Sequence, residues 1–102
     1  MSFAGMPPSP RSVSPGRVDC FSIVAVAESS VLPRVLDIVA MFDLIPERCH
    51  CSRLDGEASR PLVIDLQIAG LTREDVHVIE KKLERMVFVT QILCSEKRQE
   101  AA

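Results

Sequence analysis

The sequence predicts an α+β sandwich of order βαββαβ, a four-stranded antiparallel sheet with two helices on one face. Three observations predict it. Apolar residues recur at helical spacing in two stretches, around 31–42 and 76–86. The segments around them run apolar or alternate at strand length, and residues that cap, turn or break the chain fall between all six.

Residues 19–27 read Asp-Cys-Phe-Ser-Ile-Val-Ala-Val-Ala, apolar on both alternating faces, which predicts a central strand covered on both sides. A helix follows, with Ser29 or Ser30 as its cap and Pro33 in the first turn, where a missing amide proton costs nothing. Leu32, Val35, Leu36, Val39 and Phe42 define its core face, and Val31 and Ile38 widen the stripe on one flank. A stripe wider than one sheet needs points to a second contact surface.

Pro46 blocks continuation of the helix through residues 43–47. Residues 48–54 form a short polar strand whose charges suit a sheet edge. Residues 55–60 connect it to the next strand, which Pro61 opens and in which Leu62, Ile64, Leu66 and Ile68 alternate with Val63, Asp65 and Gln67. Asp65 and Gln67 mark the helix-free face as partly wet. Gly70 ends this strand, and Thr72 stands three residues before Asp75, close to a capping box. The second helix carries a narrow stripe of Val76, Ile79, Leu83 and Met86, with His77, Glu80, Lys81, Lys82, Glu84 and Arg85 facing water. A last strand over 87–93 closes the fold. With right-handed crossovers this order gives the ferredoxin-like sandwich, its first and third strands central.

The predicted organisation is a flexible Pro/Ser-rich arm over 1–17, one domain over 18–95 and a frayed tail over 96–102. At 102 residues there is room for one domain, and a core without Trp or Tyr must come from Val, Ile, Leu and Met. Burial against a second copy is a natural supplement for so small a domain. A net charge of -2 gives no positive field for phosphate backbones, so nucleic acid is not expected as a partner. Nor is a membrane: no run approaches a bilayer span, and residues 1–16 hold no apolar stretch of the secretory kind, so the expected location is cytoplasmic.

Four cysteines, at 20, 49, 51 and 94, fit neither a paired zinc pattern nor a disulfide scaffold and are expected to be reduced. Cys49-His50-Cys51 raises a metal hypothesis, but strand alternation puts His50 on the face opposite the two thiols, so no metal and no cofactor are expected. The fold hosts many activities, so particular positions must decide. An acylphosphatase-like site would need an Arg in the first strand-helix turn, and residues 27–30 have none. A copper chaperone would need two Cys in that turn, and an RNA-binding sheet needs aromatic residues on its central strands, where Phe21 stands alone. No nucleophile-base pair, carboxylate dyad or phosphate loop emerges, so no enzyme activity is expected.

The run from Glu28 to Leu36, Glu-Ser-Ser-Val-Leu-Pro-Arg-Val-Leu, resembles the signature turn and first helix of ACT domains. It is most similar to the N-terminal ACT domain of the acetolactate synthase small (regulatory) subunit, with a Glu-Ser-Gly-Ala-Leu-Ser-Arg-Val type of run. Ile79-Glu80-Lys81-Lys82-Leu83 and Val87-Phe88-Val89 resemble the same family's second helix and closing strand, so the likeness covers roughly residues 19–95. The resemblance implies a homodimer joined through the second strand and first helix. It also implies an amino-acid effector at that junction and a catalytic subunit of an amino-acid biosynthetic enzyme as partner, in branched-chain amino acid biosynthesis. The implied effector-binding positions are Ala27, Glu28, Ser29, Ser30, Val31, Leu32, Ile45 and Pro46. Ser30 replaces the signature Gly, and Ala27 and Ile45 stand where those subunits carry ligand-binding Asn. The alternative expectation is therefore an interaction domain that has lost its ligand.

Overall fold

The computed structural model describes residues 16–56 and 60–98; the expected arm before Gly16, the middle of the 55–60 connection and the end of the tail lie outside them. The order is β1 (Arg17–Ala25), α1 (Val31–Ala40), β2 (Arg48–Arg53), β3 (Leu62–Ala69), α2 (Arg73–Glu84) and β4 (Val89–Arg98). The strands form one antiparallel sheet in the order β2-β3-β1-β4, so the two most apolar strands are central, as the sequence predicts.

Cross-strand register fixes which face is which. Phe21 lies opposite Leu66 and Cys94, and Ile23 opposite Ile64 and Ile92. Phe21, Ile23, Ile64 and Leu66, with Ile92 packed against them, join Val31, Val35 and Val39 of α1 and Ile79 and Leu83 of α2 in one core cluster, so both helices cover the same face. The other face carries Cys20, Ser22 and Val24, all half-buried, with Gln67 half-buried and Asp65 exposed beside them. No described element covers that face of β1, contrary to the expectation of cover on both sides.

Four local expectations are corrected. β1 begins and ends two residues earlier than predicted, because Val26 leaves the ladder to bond Phe88 and the chain turns toward α1. Val31, read as a flank position, is at the centre of the buried face with Val35 and Val39, while Leu32, Leu36, Ile38 and Phe42 are half-buried. β4 starts at Val89 rather than Val87 and runs on through Arg98, where Lys97 pairs with Val18 and Glu96 with Asp19. The tail expected to fray from residue 96 is thus strand as far as Arg98, and the arm expected to end at 17 gives up Arg17 to β1. A polar run can form a strand when a central strand offers it a full ladder of backbone partners.

Candidate functional site

The turn joining β1 to α1, with the first two residues of α1, carries six of the eight predicted positions. Val26 N–H donates to Phe88 O at 2.8 Å, Glu28 N–H to Val26 O at 2.8 Å, and Val31 N–H to Glu28 O at 3.1 Å. Ser30 is the residue at the helix cap, yet it sits at φ -80, ψ -11 and its side chain caps nothing. A capping hydroxyl needs extended backbone to reach the amides of the first turn, and Ser30 is already helical. Pro33 has no amide proton, and the Leu32 amide has no partner among the described residues. The first turn of α1 has no acidic residue, so Glu28, in the turn before it, is the nearest carboxylate in sequence to the positive end of the α1 dipole.

Beside this turn lies a hollow of about 250 Å³, lined by Ser30, Val31, Arg34, Met86, Val87 and Phe88. It offers a guanidinium and a hydroxyl on one side and apolar side chains on the other. Sequence reasoning missed Arg34, Met86, Val87 and Phe88 as site residues. It assigned the last three to a helix stripe and a strand, whereas residues 85–88 connect α2 to β4. The available signal was topological: β1 and β4 are antiparallel neighbours, so the start of β4 must meet the end of β1.

Ile45 and Pro46 are elsewhere. They precede β2, whose first residue Arg48 pairs with Gln67, level with Cys20 near the start of β1. The turn follows Ala25 at the other end of the sheet, roughly 20 Å away at the rise of an extended strand. One chain does not bring the eight positions together. Ile45 is 87% exposed, and every residue of β2 is exposed.

The opposite flank also carries a hollow, of about 310 Å³, lined among others by Arg17, Asp19, Glu80 and Cys94, whose polar groups pair within the chain. Arg17 donates through Nη2 to Asp19 Oδ2 at 3.1 Å and to Leu71 O at 2.9 Å, with both side chains buried. Burial raises the Asp19 carboxyl above its ordinary value, an effect the adjacent Arg17 opposes. Cys94 Sγ donates to Glu80 Oε2 at 3.4 Å; burial and that carboxylate push its thiol up to about 12. Cys49 is also raised, by burial and by the neighbouring Cys51. Its side chain and that of Cys51 share the helix-side face, opposite Leu66 and Ile64, while His50 lies opposite Asp65 on the other.

Fold and turn together define a small βαββαβ module with a helix N-terminus that has no side-chain cap at its first crossover. The family model described as an ACT-like domain matches residues 17–101, and the chain belongs to that family. ACT-like domains are in general regulatory, ligand-binding modules without catalytic function. The fold is similar to the ACT domain from GTP pyrophosphokinase of Chlorobium tepidum, in crystal and solution structures with TM-scores of 0.63 and 0.61. Each is 14% identical and covers 76% of this chain, against 96% and 84% of theirs. It is also similar to the C-terminal domain of the MgtC protein from Mycobacterium tuberculosis, at TM-score 0.67 and 10% identity over 89% of this chain and 99% of that one. No curated protein matches the sequence. Among the described residues no helix is long and apolar enough to cross a membrane.

Proposed function

We propose that the protein is a non-catalytic regulatory module that pairs with a second copy along β2 and α1 and takes a small amino acid at the β1-α1 turn. The observation that carries this reading is the start of α1: a Leu32 amide without partner among the described residues, no side-chain cap and no acidic residue in the first turn, beside a hollow containing Arg34. An effector carboxylate would accept from that amide and the guanidinium, with the helix dipole adding about 0.3–1 kcal/mol. Its side chain would rest on Met86, Val87 and Phe88.

A second copy supplies what one chain lacks. Two-fold antiparallel pairing of β2 with β2 carries Ile45 and Pro46 of one chain to the end of the partner's sheet at which its turn lies. The half-buried Leu32, Leu36 and Ile38, with Met41 exposed, give α1 apolar surface beside that junction. The likeness of residues 28–36 to the acetolactate synthase regulatory subunit supports a catalytic subunit of that kind as the regulated partner. An effector bridging two chains shifts an equilibrium by its difference in affinity between the two states.

A panel of amino acids in thermal unfolding, with sedimentation of the ligand-free protein, tests this. A ligand at a hundred times its Kd adds about 2.7 kcal/mol, a rise in Tm on the order of 10 °C. Ser30→Asp, which puts a negative charge on the wall of the hollow against the effector's carboxylate, should abolish the rise. A flat panel removes the effector and leaves the alternative, an interaction domain without ligand, which Ala27 and Ile45 favour because neither has a polar side chain. A monomer at every concentration removes the dimer, and co-purification from cells without an acetolactate-synthase-like catalytic subunit removes that partner.

A further inference from the structure

β2 is an edge strand with an unusual centre, two thiols one residue apart between two arginines. The Leu54 N–H donates to Pro61 O at 3.0 Å, so these two form a hydrogen-bonded pair of the β2-β3 ladder. Alternation along the strand then directs the backbone groups of Arg48, His50 and Ser52 toward β3. Those of Cys49, Cys51 and Arg53 point to the free edge.

A second β2 joining this edge antiparallel must use the outward residues as its hydrogen-bonded pairs, which restricts it to a few registers. Charge selects among them. Centring the two-fold axis on His50 sets Cys49 opposite Cys51 of the partner subunit, twice by symmetry, and Arg48 opposite a serine. The same register brings Glu47, just before the strand, to the Arg53 end of the other chain. Arg53 uses its Nε on Arg60 O at 2.7 Å, so its two terminal nitrogens remain for a carboxylate. Shifting the register by one outward pair in one direction brings Glu47 against Asp55 of the other copy; in the other it brings Arg48 against His50. The centred register meets neither of these oppositions and sets His50 against His50 of the partner subunit across the axis.

Distances decide which thiols can join. Cys49 and Cys51 of one chain are two strand residues apart, roughly 6.6 Å between parallel side-chain stems, too far for the ~4 Å between Cβ atoms of a disulfide. Across an antiparallel hydrogen-bonded pair the Cα atoms are about 5.5 Å apart, inside the disulfide's Cα range, and the Cβ atoms up to about 5.5 Å, so a shift of about 1 Å between two edge strands closes the bond. The geometry points to a redox lock: Cys49 of one chain and Cys51 of its partner form an intermolecular disulfide that holds the regulatory dimer. This rests on the dimer proposed above. The oxidant is a small-molecule disulfide such as oxidised glutathione. One protein thiolate attacks it, releasing one glutathione thiol; the facing thiolate attacks the mixed disulfide and releases the second. Each bond thus transfers two electrons and two protons to one oxidised glutathione.

The test uses the full chain with oxidised glutathione, read on a non-reducing gel, beside sedimentation of the reduced protein. Wild type should give covalent dimer, and Cys49→Ser and Cys51→Ser alone should not. An equimolar mixture of the two variants should recover it in about half of the dimers, since a hybrid pair faces one Cys51 with one Cys49. Covalent dimer in either single variant means a different register or random encounter and overturns the lock. A reduced dimer that oxidation leaves non-covalent also overturns it, while the dimer reading stands. A reduced monomer without covalent product overturns both.

Discussion

The two helices of this domain start in opposite ways. At α2, Thr72 is extended, its hydroxyl accepts from Asp75 N–H at 3.0 Å, and Asp75 Oδ2 accepts from Thr72 N–H at 3.1 Å, a complete capping box with Glu74 and Asp75 on the dipole. At α1, Ser30 has the right chemistry in the wrong conformation, and the first turn has neither cap nor acid. The contrast extends along each flank. Around α2, the Arg17 guanidinium, the Asp19 carboxylate and the Cys94 thiol all find partners within the chain. Around α1 lie a wholly exposed edge strand, two exposed thiols and an exposed Ile45. The α2 flank pairs its buried charges within the chain, whereas the α1 flank leaves its edge strand and two thiols exposed; β4, the other edge of the sheet, leaves Leu93 exposed as well.

Core truncations give the largest expected difference between the halves. Leu83→Ala empties a fully buried site under α2 and should cost about 2–5 kcal/mol in urea unfolding. Leu36→Ala, at a half-buried site on α1, should cost about 1 kcal/mol or less in the isolated domain. It should instead raise the dimer dissociation constant measured by sedimentation. Equal unfolding costs would place the α1 flank in the core of the monomer and break the contrast.

The caps come next. Thr72→Ala should lose about 1 kcal/mol by removing a bond to a helix amide. Ser30→Ala should stay within about 0.5 kcal/mol, because the serine makes no such bond. The smallest effect is chemical. Burial and the Glu80 carboxylate push the native Cys94 thiol up to about 12 from an ordinary 9.0, so the folded state keeps a proton that the unfolded chain loses. Its contribution to stability is therefore whole below pH 9 and declines as pH rises from 9 toward 12. Alkylation of the folded protein at pH 8.5, followed by mass spectrometry, should label Cys94 more slowly than Cys49, whose shift in the same direction is smaller. Cys94 labelled first would mean that the Glu80 contact does not hold it.

Local signals carried the fold a long way. Apolar spacing in 31–42 and 76–86, the Thr72-Asp75 pair and the alternation from Leu62 to Ile68 each act within a few residues, and all six elements follow from them. The end of β4 was illegible for a complementary reason. Ser95 to Arg98 has no strand pattern of its own and is ordered by the backbone of Arg17 to Cys20, distant in sequence. The turn was legible as a signature, but its hollow was not, since Met86, Val87 and Phe88 reach it through the β1-β4 pairing.

Sequence alone determined the order of elements, the central strands and the polar edge, because hydrophobic period and caps are properties of neighbouring residues. Tertiary structure alone decided that Ser30 cannot cap, that Arg17 and Asp19 are buried together, and that Ile45 lies at the opposite end of the sheet from the turn. Each of these depends on where a side chain sits after the chain has folded back on itself, and no short-range pattern encodes that.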